Sequence, residues 1–361
     1  MPEPTRYPAD VLVDVTARVL EGLGAPTDLA RLVGGSLVGS NLVGHDSHGF
    51  IRVLEYAGWV RGGHLVPDAR ANLAWSDGGT AMVDGHWGWG QDAATLATAQ
   101  IIENAREHGV ASVVLTRGNH VGRLGEWVET MASAGLMGIA FCNTGGAVVA
   151  PYGGTKRVLG TNPYAWSMPG PDGDHLVLDF STAVVAAGKV VLAAMSGDAV
   201  PDGALLDHEG RPTTHASDLA AGGALRAFGG HKGSGLSVLI EMAAGMLSGT
   251  LPAAITDSGY GNGTVFLALD VARFVDLDAV AAVSRQFAGL LHAAAASPDE
   301  AVLLPGEVET RTRLERAAAG IPVPSGVRSG VRDLAAELGV DLPEFHEEPV
   351  TTNGALDDQT G

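Results

Sequence analysis

VVLTRGNHVGRLGEWVETMASAGLMGIAFCNTGGAVVAPYGGTKRVLGTNP, residues Val113 to Pro163, is the stretch whose pattern decides the fold. It is entered through an apolar run of strand length, Ala111 to Leu115, which breaks into the polar turn Thr116-Arg117-Gly118-Asn119-His120. Leu124 to Ala134 then repeats apolar residues at helical spacing. Leu136 to Cys142 is a second buried-strand candidate, leading into Asn143-Thr144-Gly145-Gly146. Both polar loops leave the ends of apolar strands, the place where α/β sheets hold ligands. His120 is the first candidate for chemistry, because imidazole has an unperturbed pKa near neutrality and suits general acid–base work. A lone loop histidine also fits a turn or surface role, so the assignment depends on its company.

At 361 residues the chain has room for more than one domain, and 46% hydrophobic with 17% charged residues is ordinary for a soluble globular enzyme. A formal net charge of -19 repels phosphate backbones and anionic bilayers, which argues against nucleic acid and membrane partners. The single cysteine, Cys142, cannot form an intramolecular disulfide, and its strand setting suits an inert hydrophobe. With no apolar signal run and no stretch near the roughly 20 apolar residues a span needs, the expectation is a cytoplasmic protein without an anchor.

Towards the N-terminus, Ala9 to Leu23 and a segment running to about Val43 have helical spacing, broken by Pro26-Thr27. Gly44-His45-Asp46-Ser47-His48-Gly49 follows, then a helical run that sets Arg52 and Tyr56 on one face, one turn beyond His48. Arg presents a planar fork that matches a carboxylate bidentately, so this polar stripe is a substrate-binding candidate as well as a salt-bridged surface face. His45 and His48 lack a nearby third ligand, so no metal is expected. Gly88-Trp89-Gly90-Gln91-Asp92-Ala93 mimics a dinucleotide glycine pattern between a strand and a helix from Ala93 to about His108. Its two tryptophan neighbours and its distance from the strand end favour an ordinary turn and helix start.

Beyond Pro163, a strand from His175 ends at Asp179, Ser181 and Thr182, and Thr182 is expected to cap a helix through Met195 that carries Lys189. Residues 197–223 read as loops. Gly229-Gly230-His231-Lys232-Gly233-Ser234-Gly235 leads into the apolar helix Leu236 to Leu247, where free backbone N–H groups and two basic side chains make the best anion site in the chain. The Walker spacing is absent, so nucleotide triphosphate hydrolysis is not expected. A strand at Val265 to Leu269, a helix at Ala279 to Ala296, a charged helix ending near Gly320 and a last helix at Val331 to Leu338 complete the reading. The tail beyond Leu342 is acidic and polar and is expected to be disordered.

Taken in order, DSHGFIR at 46–52, VDGHWGWGQDAA at 83–94, GNHVGRLGEW at 118–127, GTNP at 160–163, LDFSTAVVAAGKV at 178–190, GGHKGSGL at 229–236 and PGEVE at 305–309 resemble one family over nearly all of residues 10–340. It is the malate/L-lactate dehydrogenase family whose fold is not the Rossmann fold, which also holds ureidoglycolate and sulfolactate dehydrogenases and reductases of piperideine- and pyrroline-2-carboxylate. The resemblance implies an α/β protein, usually a homodimer, with a central mixed sheet and a mainly helical domain formed from both chain ends. On that pattern residues 1–76 are the N-terminal helical part, 77–300 the NAD(P)-binding sheet domain, 301–343 helices packing back on the first part, and 344–361 a disordered tail.

The resemblance further implies roles. His120 takes the acid/base position, and Ser47, His48, Arg52 and Tyr56 the substrate-binding position. Thr144, the segment Leu178, Asp179, Phe180 and Ser181, the loop His231-Lys232-Gly233, and Glu307 fall at cofactor contacts, with NAD or NADP as the cofactor. The implied reaction interconverts a small 2-hydroxy acid and its 2-keto acid by hydride transfer. Reduction of a cyclic or N-substituted imino acid is the alternative, and a non-catalytic nucleotide-binding member the weakest reading. Many members carry a Gly-His pair where this chain has Gly263-Thr264, and a bulkier aromatic at Ser234, which bears on the substrate accepted and on one cofactor wall.

Overall fold

The computed structural model describes residues 4–256, 260–297, 300–343 and 345. At its centre is a seven-stranded sheet in the order Asn72–Asp77, Thr80–Asp84, Val110–Thr116, Asn262–Asp270, Leu136–Thr144, Pro163–Met168 and Leu176–Ser181. The second and third strands pair parallel and the others antiparallel, so the sheet is mixed. Alternation along Val110–Thr116 explains its place. Ala111, Val113 and Leu115 face one core with the helices Gly90–His108 and Leu124–Ser133, while Val114 packs on the other face against Ile240 and Ala244.

Register brings the polar loops together. Asn262 pairs with Thr144, Thr264 with both Leu115 and Cys142, and Pro163 with Ser181. The ends of three mutually parallel strands, at Thr116, Thr144 and Ser181, therefore lie along one edge of the sheet. Every loop leaving them opens on the same side.

A second core is built from both chain ends. The helices Ala9–Gly22, Thr27–Leu42 and Arg52–Arg61 bury Leu12, Leu20, Val33, Leu37, Val53 and Tyr56 against Val327, Val331 and Leu334 of the helix Ser325–Leu338. The short strands Thr5–Tyr7 and Ile321–Val323 pair antiparallel and tie the two ends. The tail at 344–361 lies outside the described residues except for Phe345, whose buried ring packs on Tyr7 and Phe50 at 4.8 and 5.6 Å. Among the described residues no helix is long and apolar enough to cross a membrane.

Three expectations need correction. Thr182 does not cap the helix Ala187–Ser196, because its hydroxyl donates to the Thr161 carbonyl and Ala186 occupies the cap position. Residues 197–223 are not plain loop: Leu205–Leu206 and Pro212–Thr213 join Ala224–Arg226 and Val149–Ala150 in a four-stranded sheet over a small apolar core. The helix expected at Leu236 to Leu247 begins at His231 and changes pitch at Glu241–Gly245, a wide π-type turn. There Glu241 is buried and satisfied: one oxygen accepts from Gly160 N (2.7 Å) and Asn162 Nδ2 (2.8 Å), the other from Asn143 Nδ2 (2.6 Å) and Ala253 N (2.8 Å).

Candidate active site

The turn Asp46–His48 is fixed before it reaches any ligand. Asp46 takes bidentate bonds from Arg316 (2.6 and 3.0 Å) and one from Asn41 Nδ2 (2.6 Å), and the side-chain carbonyl oxygen of Asn41, Oδ1, accepts Phe50 N (2.7 Å). A Cβ on Gly49 would lie 2.2 Å from that carbonyl oxygen, so only glycine fits. The helix Glu307–Ala319, which carries Arg316, therefore holds the turn that presents Ser47 and His48. Ser47 Oγ is 3.1 Å from His48 Nδ1, and Arg52 donates from Nε to the Ser47 carbonyl (2.6 Å) and from Nη1 to Glu55.

His120 reaches the same place from the end of Val110–Thr116. Asn119 donates to the carbonyls of His64, Trp87 and Gly88, and Arg117, at φ 47°, pairs with Asp84 (Nε to Oδ1 2.9 Å). A Cβ on Gly90 would lie 2.3 Å from the His120 carbonyl oxygen. Gly90 thus serves close packing beneath the histidine turn and Gly88 close packing on the Ala69 carbonyl oxygen, 2.7 Å from where its Cβ would lie, in keeping with the turn reading of that motif. The His120 ring stacks on His48 at 5.5 Å, and its Nδ1 lies 2.7 Å from Tyr56 Oη, which accepts from Gln91 Nε2 (2.8 Å).

Burial first, then the positive field of Arg52, holds both rings uncharged: the His48 pKa falls to about 3 and that of His120 well below its ordinary value. Burial pushes the Tyr56 hydroxyl and the Asp179 carboxyl up, and Asp179 Oδ2 accepts Gly125 N (2.7 Å) at the start of the helix Leu124–Ser133. Cys142 is likewise pushed up to about 12 by burial, an inert thiol.

These groups open on a cleft of about 1010 Å³. Of the residues named from the sequence, Ser47, His48, Arg52, His120, Thr144, Asp179, Phe180 and Ser181 line it. Tyr56 is buried behind His120 rather than lining the cleft. Leu178, Glu307 and the His231-Lys232-Gly233 loop lie off its wall. Glu307 pairs with His292 (2.8 Å), and Glu309, not singled out before, lines the cleft and faces His45 at 3.3 Å. The glycine-rich loop joins the same wall indirectly. The ring of Phe228 meets Phe180 edge-on at 5.3 Å, and its N–H donates to the Thr182 carbonyl (3.0 Å). Two of the loop's N–H groups are engaged locally: Gly233 N donates to Phe228 O (3.1 Å) and Ser234 N to Gly230 O (3.2 Å). The departures are also placed: Thr264 is buried in the central strand, and Ser234 Oγ accepts Tyr152 N (3.0 Å).

Sequence reasoning passed over Gln91, Asn119, Thr161, Asn162, Glu241 and Glu309. Asn162 offered the best signal, as an asparagine just before Pro163 in the GTNP word, and it adopts φ 34°, but nothing in the letters paired it with Glu241. The cleft exceeds what a small acid fills, since drug-sized pockets run to roughly 1,000 Å³. Hydroxyls at Thr144, Thr161 and Ser181, small apolar side chains at Val184, Val185 and Val200, and glycines at 145 and 261 line the remainder. That set fits a nucleotide-bearing cofactor. Among the described residues no group of three or more ligating side chains could hold a metal ion.

Comparison with known proteins agrees with this geometry. The malate/L-lactate dehydrogenase family model matches residues 7–332. A hydroxycarboxylate dehydrogenase B of Escherichia coli is 35% identical over 94% of this chain and 95% of its own length. A pyrroline-2-carboxylate/piperideine-2-carboxylate reductase of Pseudomonas aeruginosa is 33% identical over 95% of this chain and 98% of its own. The solved malate dehydrogenase of Pyrococcus horikoshii superposes with a TM-score of 0.85 at 28% identity, covering 94% of this chain and 97% of that one. The chain is a member of the malate/L-lactate dehydrogenase family of oxidoreductases, with the mixed-sheet α/β fold of its solved relatives.

Proposed function

We propose that the protein is an NAD- or NADP-dependent oxidoreductase interconverting a small 2-hydroxy acid and its 2-keto acid. The observation that carries this reading is the convergence in one cleft of a forked cation, Arg52, with two stacked uncharged imidazoles, His48 and His120. Arg52 would bind the substrate carboxylate through its second terminal nitrogen, its Nε and Nη1 being held by Ser47 and Glu55. His120, uncharged at neutral pH, would accept the hydroxyl proton, and Ser47 and His48 would steer the same oxygen by hydrogen bonding. Thr144, Asp179, Phe180 and Ser181 would hold the cofactor, with Leu178, His231, Lys232, Gly233 and Glu307 supporting that wall. The nicotinamide would supply the two-electron acceptor or donor for the substrate carbon.

A second reading is reduction of a cyclic imino acid, and the uncharged state of His120 favours it. A protonated imine brings its own proton and needs less from an imidazole. Steady-state assays of hydroxy, keto and imino acids with each nicotinamide decide between the two. Turnover only with imines would displace the hydroxy-acid reading.

We assign residues 1–76 and 301–343 to the helical part and 77–300 to the cofactor part, in a cytoplasmic homodimer. The apolar residues of the N-terminal helices are spent on the molecule's own core. Support comes from elsewhere: Val238, Leu239, Met242, Met246 and Leu247 are exposed on one helix, and Val283, Phe287 and Leu290 on another. Light scattering tests it. A stable, fully active monomer would end the proposal.

A further inference from the structure

We propose that Gln91 is a positioning residue that sets, through Tyr56, which nitrogen of His120 carries the proton. The inference rests on the reading of His120 as the acid–base group and adds what makes that ring a base. Gln91 begins the helix Gly90–His108, is fully buried, and donates to Tyr56 Oη (2.8 Å), which lies 2.7 Å from His120 Nδ1. Its other end, Oε1, is buried without a hydrogen-bond partner among the described residues.

Proton counting then gives two states. Tyr56 has one hydroxyl proton. With the Gln91 NH₂ facing it, that proton must go to His120 Nδ1, so the neutral ring carries its hydrogen on Nε2 and cannot accept another from a substrate at that atom. Rotating the amide by half a turn exchanges Oε1 and Nε2 in the same volume. Tyr56 then donates to Gln91 Oε1 and accepts Nδ1–H, leaving Nε2 bare. Each orientation leaves one end of the amide unpaired, so neither is strongly preferred.

The charged imidazole settles the choice. With both nitrogens protonated, Nδ1–H donates to Tyr56 and the Tyr56 proton has only the Gln91 carbonyl to go to. In the oxidative direction a substrate O–H proton passes to Nε2, Nδ1–H stays on Tyr56, and the Tyr56 proton stays on Gln91 Oε1. No proton is lost from the relay. Both the base-ready ring and its conjugate acid therefore need the Gln91 carbonyl, and the amide-first state is donor-only at Nε2.

Gln91→Met keeps the volume and removes the acceptor. The oxidative kcat is expected to fall about 10²-fold, with the acid KM and cofactor affinity within twofold, because a wrongly protonated imidazole keeps its place but not its function. Gln91→Glu, an obligate acceptor, should retain most of the rate and shift the acid limb of the pH profile to higher pH. In a Tyr56→Phe background, Gln91→Met should add nothing. NMR of nitrogen-labelled histidine in Gln91→Met should show His120 protonated at Nε2, a readout that does not depend on turnover. If Gln91→Met keeps wild-type kcat and tautomer, or costs as much in the Tyr56→Phe background, the relay is refuted. If His120→Ala leaves turnover intact while the tautomer shift appears, the acid–base reading fails and the relay stands. Should Gln91→Met not fold, a Gln91→Glu enzyme with an unchanged pH profile overturns the proposal.

Discussion

Replacing Arg52 probes substrate recognition most sharply, because its surroundings fix what each variant loses. The Arg52 side chain is one-fifth exposed, with Nε on the Ser47 carbonyl and Nη1 on Glu55. Removing one partner of a buried charge pair costs about 3–5 kcal/mol. Glu55 already shares the charge and water reaches the site, so the lower figure applies. Arg52→Ala should lose about 3 kcal/mol in kcat/KM for the acid substrate, roughly 10²-fold. Arg52→Lys keeps the charge but cannot at once hold the Ser47 carbonyl, pair with Glu55 and bind the carboxylate, and should lose about 10-fold, mostly as a raised KM. The assay is steady-state turnover of the best acid beside fluorescence titration of reduced cofactor, whose affinity should barely change. Wild-type kcat/KM in Arg52→Ala, or loss of cofactor binding in its place, would refute the assignment.

The reductive direction requires a proton on His120, whose pKa lies well below its ordinary value, so kcat/KM for a keto acid should drop about tenfold per pH unit from pH 6 to 9; a flat profile would point to another acid. Acid should weaken the fold through His48: its folded pKa of about 3 is depressed below the unfolded 6.5, so the unfolded chain binds the extra proton and stability falls as pH drops below 6.5. At pH 5 the loss is at most about 2 kcal/mol, and denaturant unfolding of His48→Asn should show a shallower pH slope, with Asp179 and Glu126, raised by burial, acting in the opposite sense in both proteins. Glu241→Gln turns an acceptor into a donor against two of its four N–H partners and should cost about 3–5 kcal/mol in urea unfolding; a loss under 1 kcal/mol would show that the buried carboxylate is dispensable.

How much of this was legible in the letters varies with the range of the interaction. Local spacing located the helices Ala9–Gly22, Thr27–Leu42 and Leu124–Ser133 within a residue or two, because one buried face dictates each. The mixed sheet and the site motifs came from the resemblance and from strand ends. Pairing order was not legible. Nothing in Asn262–Asp270 says that it lies between Val110–Thr116 and Leu136–Thr144, since any apolar strand could fill a central place. The cleft-facing Ser47, His48, Arg52 and His120 announced themselves as polar residues on turns beside apolar runs. Gln91, Asn119 and Glu241 did not, because each matters through partners remote in sequence, such as Tyr56, Gly88 and Asn143, 35, 31 and 98 residues away. At 229–235 the letters located a glycine-rich helix start but not its place, since the helix begins at His231 and its first N–H bonds close onto Phe228, Gly229 and Gly230.

The most direct test is cofactor turnover with lactate, malate, ureidoglycolate, sulfolactate and the matching keto and imino acids, each with NAD and NADP, in the wild type and in His120→Ala. The account expects at least one carboxylate substrate to drive saturable nicotinamide oxidation or reduction. It expects His120→Ala to lower kcat about 10²-fold or more while folding and binding reduced cofactor as the wild type does. No turnover with either nicotinamide, or near-normal turnover without His120, would contradict it.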